Sequence, residues 1–168
     1  MTDISAATVA PGRHDIEDFL KYEVELLDDR RFEEWMELFT VDGFYWVPTE
    51  PDQKDPYGTA SLFFDDRSAM RSRFARLRHP RVHVQIPPSR TCHFVSNVRI
   101  SVNEPETGEL VVHSKLLMLE YRPGYEQRVF GGNVQHRLQR DNETLKIAMK
   151  RVTLLNCDAT FGSLAIPF

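Results

Sequence analysis

The order of the signals along this chain predicts an α+β fold: a curved antiparallel sheet wrapped around N-terminal helices. Three observations carry that prediction. Helical periodicity dominates from Asp15 to His79. Strand alternation dominates from Thr91 onward. The late strands are joined by short turn-like links, Glu104 to Gly108, Arg122 to Gly124 and Asp141-Asn142. Consecutive strands with tight turns make an antiparallel meander, and helices that precede a meander segregate to one side of it.

Each element has its own warrant. Residues 1–14 read as a flexible arm, small and polar as far as Pro11-Gly12, and residues 15–168 as one domain. The first helix starts at Asp15. Ile16, Phe19, Leu20, Tyr22, Leu26 and Leu27 form its apolar stripe, with Glu17, Lys21, Glu25 and Asp28 outside it. Asp29 is expected to cap a second helix, with Phe32, Trp35, Met36 and Phe39 inward, stopping at a Val41-Asp42-Gly43 turn. Phe44 to Val47 is β-prone and ends at Pro48. A Pro/Asp-rich loop follows, then a short strand at Ala60 to Phe64. Asp65 or Asp66 caps a third helix with Met70, Phe74 and Leu77 on one face, ended by His79-Pro80. Four strands cover about 91–103, 109–122, 125–140 and 143–157.

Composition narrows the function classes. The 168 residues include 41% hydrophobic and 27% charged side chains, an ordinary globular balance. A net charge of −4 gives no bulk attraction to nucleic acid or an anionic membrane. No run nears the roughly 18 apolar residues of a membrane span, and the first twelve residues lack a secretory pattern, so a cytoplasmic setting is expected. Cys92 and Cys157 fall on apolar faces of predicted strands and read as buried free thiols.

The most distinctive stretch runs from Pro87 to Val102, PPSRTCHFVSNVRISV. Cys92, Phe94, Val98, Ile100 and Val102 alternate with His93, Asn97, Arg99 and Ser101, which places the first set on the core face. Ser96 and Val95 break the pattern. This wording resembles the small (β) subunit of aromatic-ring-hydroxylating dioxygenases, the Rieske non-haem iron oxygenases. YEVELLDDRRFEEWMELFTVDGFYWVP (22–48), SLFFDDRSAMRSRFARLRH (61–79) and KRVTLLNCDATFGSLAIPF (150–168) are similar to segments of the same subunits. One departure is Cys92, where many relatives have a basic residue.

The resemblance implies a cone-shaped fold of the nuclear-transport-factor type, also called cystatin-like, shared with scytalone dehydratase and ketosteroid isomerase. It implies a β trimer within a hetero-hexamer containing three α subunits. The Rieske [2Fe–2S] cluster, the mononuclear Fe(II) and the substrate pocket would lie in the α subunit. The complex would convert an arene to a cis-dihydrodiol with O2 and electrons from NAD(P)H, delivered through a ferredoxin or reductase. This chain would be a structural subunit with no cofactor of its own.

The residues agree with that division. A Rieske cluster needs two Cys and two His in close pairs, and only Cys92-His93 are adjacent here. His79 and His83 have i, i+4 spacing, but Pro80 lies between them and Arg78 and Arg81 flank them, so a metal site is not expected. Catalytic, cofactor-binding and metal residues are therefore all expected to be none. The alternative is a stand-alone isomerase or dehydratase of the cone fold, using Asp42 as base with a sheet histidine from His93, His113 or His136. An open apolar pocket bringing those groups together would favour it; a plugged cone would favour the scaffold. Arg67, Arg71, Arg73, Arg76, Arg78 and Arg81 suggest pairing with carboxylates of a partner subunit. The apolar tail, Leu164 to Phe168, is expected to pack on the sheet or on a neighbouring β subunit.

Overall fold

The computed structural model describes residues 11–81, 85–104, 108–142 and 144–168, apart from the side chains of 102–104. The element order is α1 (Arg13–Asp28), α2 (Phe32–Glu37), β1 (Phe39–Pro48), β2 (Ser61–Asp66), α3 (Arg67–Arg78), β3 (Arg90–Glu104), β4 (Glu109–Tyr121), β5 (Arg128–Asp141) and β6 (Thr144–Leu154). Residues 1–10 of the expected arm lie outside the described residues. Residues 13 and 14 belong to α1, which begins two residues earlier than expected.

The six strands form one sheet in the order β2-β1-β6-β5-β4-β3. The β3–β4–β5–β6 meander is antiparallel, as expected. One pair departs from an all-antiparallel sheet: β1 runs parallel to β6, so the sheet is mixed. The meander ends with β6 returning beside the β1–β2 hairpin, and its direction is set by three preceding reversals. The helices fill the concave side, with α1 crossing it and Ile16, Leu20, Val24 and Leu27 buried beneath the strands.

Aromatic packing joins the helices to the sheet. The ring of Trp35 meets Phe39, Tyr45 and Phe74 edge-on, with centroids 4.8, 5.6 and 5.9 Å away. Such contacts each add about 0.5–1.5 kcal/mol beyond burial. The tail closes this core from the other side. Phe168 is 1% exposed, lies 5.0 Å from the ring of Phe130, and donates its N–H to the Tyr45 hydroxyl at 2.9 Å. The tail therefore packs on its own sheet.

Three local expectations are corrected. Asp29 does not cap α2; it is the last half-turn of α1, where its N–H donates to Glu25 O. The residue before α2 is Arg31, which makes no side-chain cap. The second helix also stops at Glu37, and Asp42-Gly43 lie inside β1 rather than in a turn. A Cβ on Gly43 would sit 2.6 Å from the carbonyl oxygen of Ile147, so this glycine serves a close strand approach. Asp66, one of two candidates, does cap α3, its carboxylate accepting from Ala69 N at 2.8 Å.

The correction that matters most for function is in β3. Its register with β4 shifts between Ser96 and Arg99, and Asn97 takes a positive φ of 55°. A bulge there exchanges the two faces of the strand. Before it, His93 and Val95 point inward and Cys92 and Phe94 outward; after it, Val98 and Ile100 turn inward. Cys92 and Phe94 are thus exposed, not core residues, and the broken alternation at Val95-Ser96 was the mark of the bulge. Cys157 is buried as expected, although it lies in the turn after β6.

Candidate functional site: the closed interior of the cone

Inside the cone, where an enzyme of this shape would hold substrate, sits a buried charge cluster. Glu23 projects from the apolar stripe of α1, continuing the Ile16, Leu20 spacing. Lys150 projects inward from β6 in alternation with Val152 and Leu154. Lys150 Nζ donates to Glu23 Oε1 at 2.6 Å, and Trp35 Nε1 donates to the same oxygen at 2.8 Å. His136 Nε2 lies 3.1 Å from Glu23 Oε2. Glu23 and Lys150 are each 1% exposed and His136 2%.

Burial alone would push the Glu23 carboxyl up. Lys150 and then His136 outweigh it and hold the carboxyl well below the usual carboxylate range. The ammonium of Lys150 also faces the rings of Trp35 and Tyr45, at 5.7 and 6.0 Å. The Tyr45 hydroxyl, shut in by the same packing, is pushed up by burial. The cluster links α1, α2, β5 and β6 across the space that a ligand would otherwise occupy.

A second pair closes the neighbouring part of the interior. Asp28, at the end of α1, accepts from Thr91 Oγ1 at 2.7 Å and from His93 N at 2.9 Å, and its Oδ1 lies 2.6 Å from His93 Nδ1. Burial raises the Asp28 carboxyl, but the bonds from His93 and Thr91 win and hold it low. The side chain of His93 is fully enclosed. Its Nε2 and the Nδ1 of His136 are buried without a hydrogen-bond partner among the described residues.

The structure separates the residues that the alternative enzyme reading needed to bring together. Asp42 is exposed and lines a surface cleft with Arg67, Arg140 and Lys146; no histidine lines it. His113 is on the outer face of the sheet, paired across to Arg99, and burial followed by Arg99 lowers its pKa. Among the described residues, only His93 and His136 reach the interior, each taken by a carboxylate other than Asp42. His79 is an exposed C-cap whose Nδ1 accepts from Arg81 N. His83 lies outside the described residues. Among the described residues, no group of three or more His, Cys, Asp or Glu could hold a metal ion. No helix among them is long and apolar enough to cross a membrane.

Sequence reading missed Glu23 and Lys150. The available signal was a charge at a core position of each pattern: Glu23 at helical spacing from Leu20 and Leu27, and Lys150 among alternating apolar residues. Their pairing is not legible, because 127 positions separate them.

A six-stranded mixed sheet with helices on its concave side defines the fold, and comparison places the chain within a family. Residues 22–159 match the family model described as "Ring hydroxylating beta subunit". The chain is 35% identical over 144 residues to the small oxygenase component of the p-cumate 2,3-dioxygenase system of Pseudomonas putida, covering 84% of this chain and 78% of that one. It is 32% identical over 158 residues to the chlorobenzene dioxygenase β subunit of Cupriavidus sp. (strain PS12), covering 89% and 84%. The crystal structure of the benzoate 1,2-dioxygenase β subunit from Burkholderia mallei superposes with a TM-score of 0.72 at 25% identity, covering 89% of this chain and 94% of that one. The chain belongs to the family of ring-hydroxylating dioxygenase β subunits.

Proposed function

We propose that this chain is the non-catalytic scaffold of a dioxygenase that cis-dihydroxylates an aromatic substrate. It assembles with a Rieske-type α subunit, three of each, and residues 15–168 act as one folded unit with 1–14 as an arm. The [2Fe–2S] cluster, the mononuclear iron and the substrate pocket belong to the α subunit. Electrons come from NAD(P)H through a ferredoxin or reductase, in the cytoplasm. The observation that carries the scaffold reading is the filled interior. Lys150, Trp35 and His136 converge on the Glu23 carboxylate in the position where a catalytic protein of this shape would need an open pocket. A subunit that fixes geometry for another subunit's chemistry needs rigidity there, and a buried carboxylate held from α2, β5 and β6 supplies it.

Helix α3 supports a contact with the α subunit. Of its arginines, Arg67, Arg73 and Arg78 are held by Glu37, Asp65 and Glu33 within the chain. Arg71 and Arg76 are exposed with no acidic partner among the described residues, and a planar guanidinium fork suits a partner's carboxylate.

Co-expression with a Rieske-type large subunit tests both parts. The expected result is one complex containing iron, which Arg71→Glu with Arg76→Glu weakens. Recovery of the two chains separately overturns the scaffold role. Within the assembled complex, His93→Asn should leave turnover per iron within about twofold. A loss of about a hundredfold, the scale of a missing acid or base, with assembly intact would mean that this chain takes part in the chemistry.

A further inference from the structure

Two polar atoms inside the cone lack the partners that their burial calls for. Ser114 on β4 is 5% exposed and His136 on β5 is 2% exposed. Ser114 Oγ and His136 Nδ1 are both buried with no hydrogen-bond partner among the described residues. The other ring nitrogen of His136, Nε2, faces Glu23 Oε2 at 3.1 Å. Glu23 is held as a carboxylate, which only accepts, so Nε2 carries a proton and donates. Nδ1 is left as the ring's second polar atom. Buried polar groups are ordinarily paired, because a hydroxyl or ring nitrogen taken out of water forfeits the hydrogen bonds it had there.

The two atoms belong to one place. Ser114 pairs across the sheet with Val134, and Val112 pairs with His136. Alternate residues of both strands face inward, so Ser114 and His136 are diagonal neighbours on the inner face. Diagonal neighbours stand about 7–8 Å apart, which leaves a gap for one small molecule between a short hydroxyl and a ring. On the other side of Ser114 the ladder with β3 is interrupted. Ser96 pairs with Lys115 and Arg99 with His113, and the bulge between them puts no register partner opposite Ser114. The smallest inward side chain of β4 therefore lies beside the bulge.

We propose that this place binds one ordered water molecule, bonded to both Ser114 Oγ and His136 Nδ1. The occupant has to be small and neutral. Glu23 already has Lys150 as its counter-charge, so an added ion of either sign would be buried without a partner of its own. The occupant also has to offer both a donor and an acceptor, since a hydroxyl and a ring nitrogen can each take either role. Water meets both conditions, and buried waters characteristically bridge polar groups that the chain leaves unpaired. Its effect is to hold the His136 ring. Ser114 becomes a positioning residue, joined through the water to the ring nitrogen that Glu23 does not use, and the buried cluster then reaches β4 as well as α1, α2, β5 and β6. The inference depends on the fold of this chain alone and stands apart from its scaffold role.

A crystal structure of the full chain, alone or with its large subunit, tests the proposal at a resolution that shows ordered solvent. The expected result is a single solvent peak within hydrogen-bond reach, about 2.7–3.2 Å, of both Ser114 Oγ and His136 Nδ1. No peak there, or a direct bond between the two side chains, overturns it. Nitrogen-15 spectra of the histidine rings give an independent readout, with circular dichroism melting to verify folding. Ser114→Val removes the hydroxyl, and Ser114→Thr matches valine in shape while keeping it. The valine variant is expected to shift the His136 Nδ1 resonance and to lose the solvent peak; the threonine variant is expected to keep both close to the wild type. A folded valine variant that matches the wild type, or a folded threonine variant that matches valine, overturns the proposal. If both variants unfold, the solvent peak in the wild type decides.

Discussion

Glu23 shows how much one side chain can decide. A carboxylate at 1% exposure survives because Lys150, Trp35 and His136 satisfy it. Removing a single partner leaves a buried charge alone, which costs about 3–5 kcal/mol. Lys150→Met should therefore destabilise the fold by about that amount in urea titration. The double variant Glu23→Gln with Lys150→Met should recover much of the loss, since no uncompensated charge remains; an additive double variant would refute the coupling. The same residues set the acid limit. Glu23 and Asp28 are held below their ordinary values of 4.5 and 3.8, so the folded state binds fewer protons than the unfolded chain as pH falls past those values. Their stabilisation is complete above about pH 5 and is lost progressively below it. Thermal melts between pH 7 and pH 3 should show Tm falling in the acid range, and Glu23→Gln should flatten that fall.

At the scale of elements, close backbone approaches and one bulge govern the sheet. A Cβ on Gly132 would sit 2.3 Å from Thr153 O and 2.9 Å from Leu154 Cα, both backbone atoms of the neighbouring strand. Gly132→Ala must separate β5 from β6 and should cost about 1–3 kcal/mol, the scale of overpacking, read as a lower melting temperature. The bulge at Asn97 matters differently. It lets β3 turn His93 inward to Asp28 and still bury Val98 and Ile100 further along. Asn97→Val opposes the positive φ, whereas Asn97→Gly accepts it. The valine variant should be the less stable of the two by about 1–2 kcal/mol in the same melt.

At the scale of the whole molecule, the C-terminal tail belongs to the core. Phe168 packs against Phe63 and Phe130 and bonds to Tyr45. Phe168→Ala should cost about 3–5 kcal/mol of stability, and deletion of residues 164–168 should lower the melting temperature of the chain even where it does not associate. If the deletion left melting unchanged and altered only sedimentation, the tail would instead serve a neighbouring subunit. The helices and tail pack together on the concave side of the sheet.

Much of this protein was legible in its residues. Period-2 alternation marked β3 to β6, the apolar stripes marked α1 and α3, and the Asp65-Asp66 pair announced the cap of α3, because these features depend on neighbours within a few positions. Four segments in order were enough to indicate the family. Tertiary structure decided the rest. Which face of β3 is inward depended on a bulge that shows in sequence only as a break at Val95-Ser96. That β6 lies parallel to β1 depended on where the meander ends. That Asp42 stands in solvent while Glu23 and Lys150 occupy the cone depended on contacts across the whole chain. Local periodicity reports which residues can be buried; it cannot report which distant charge will meet them there, and in this protein Glu23 on α1 meets Lys150 on β6 and His136 on β5 only once the sheet has closed over the helix.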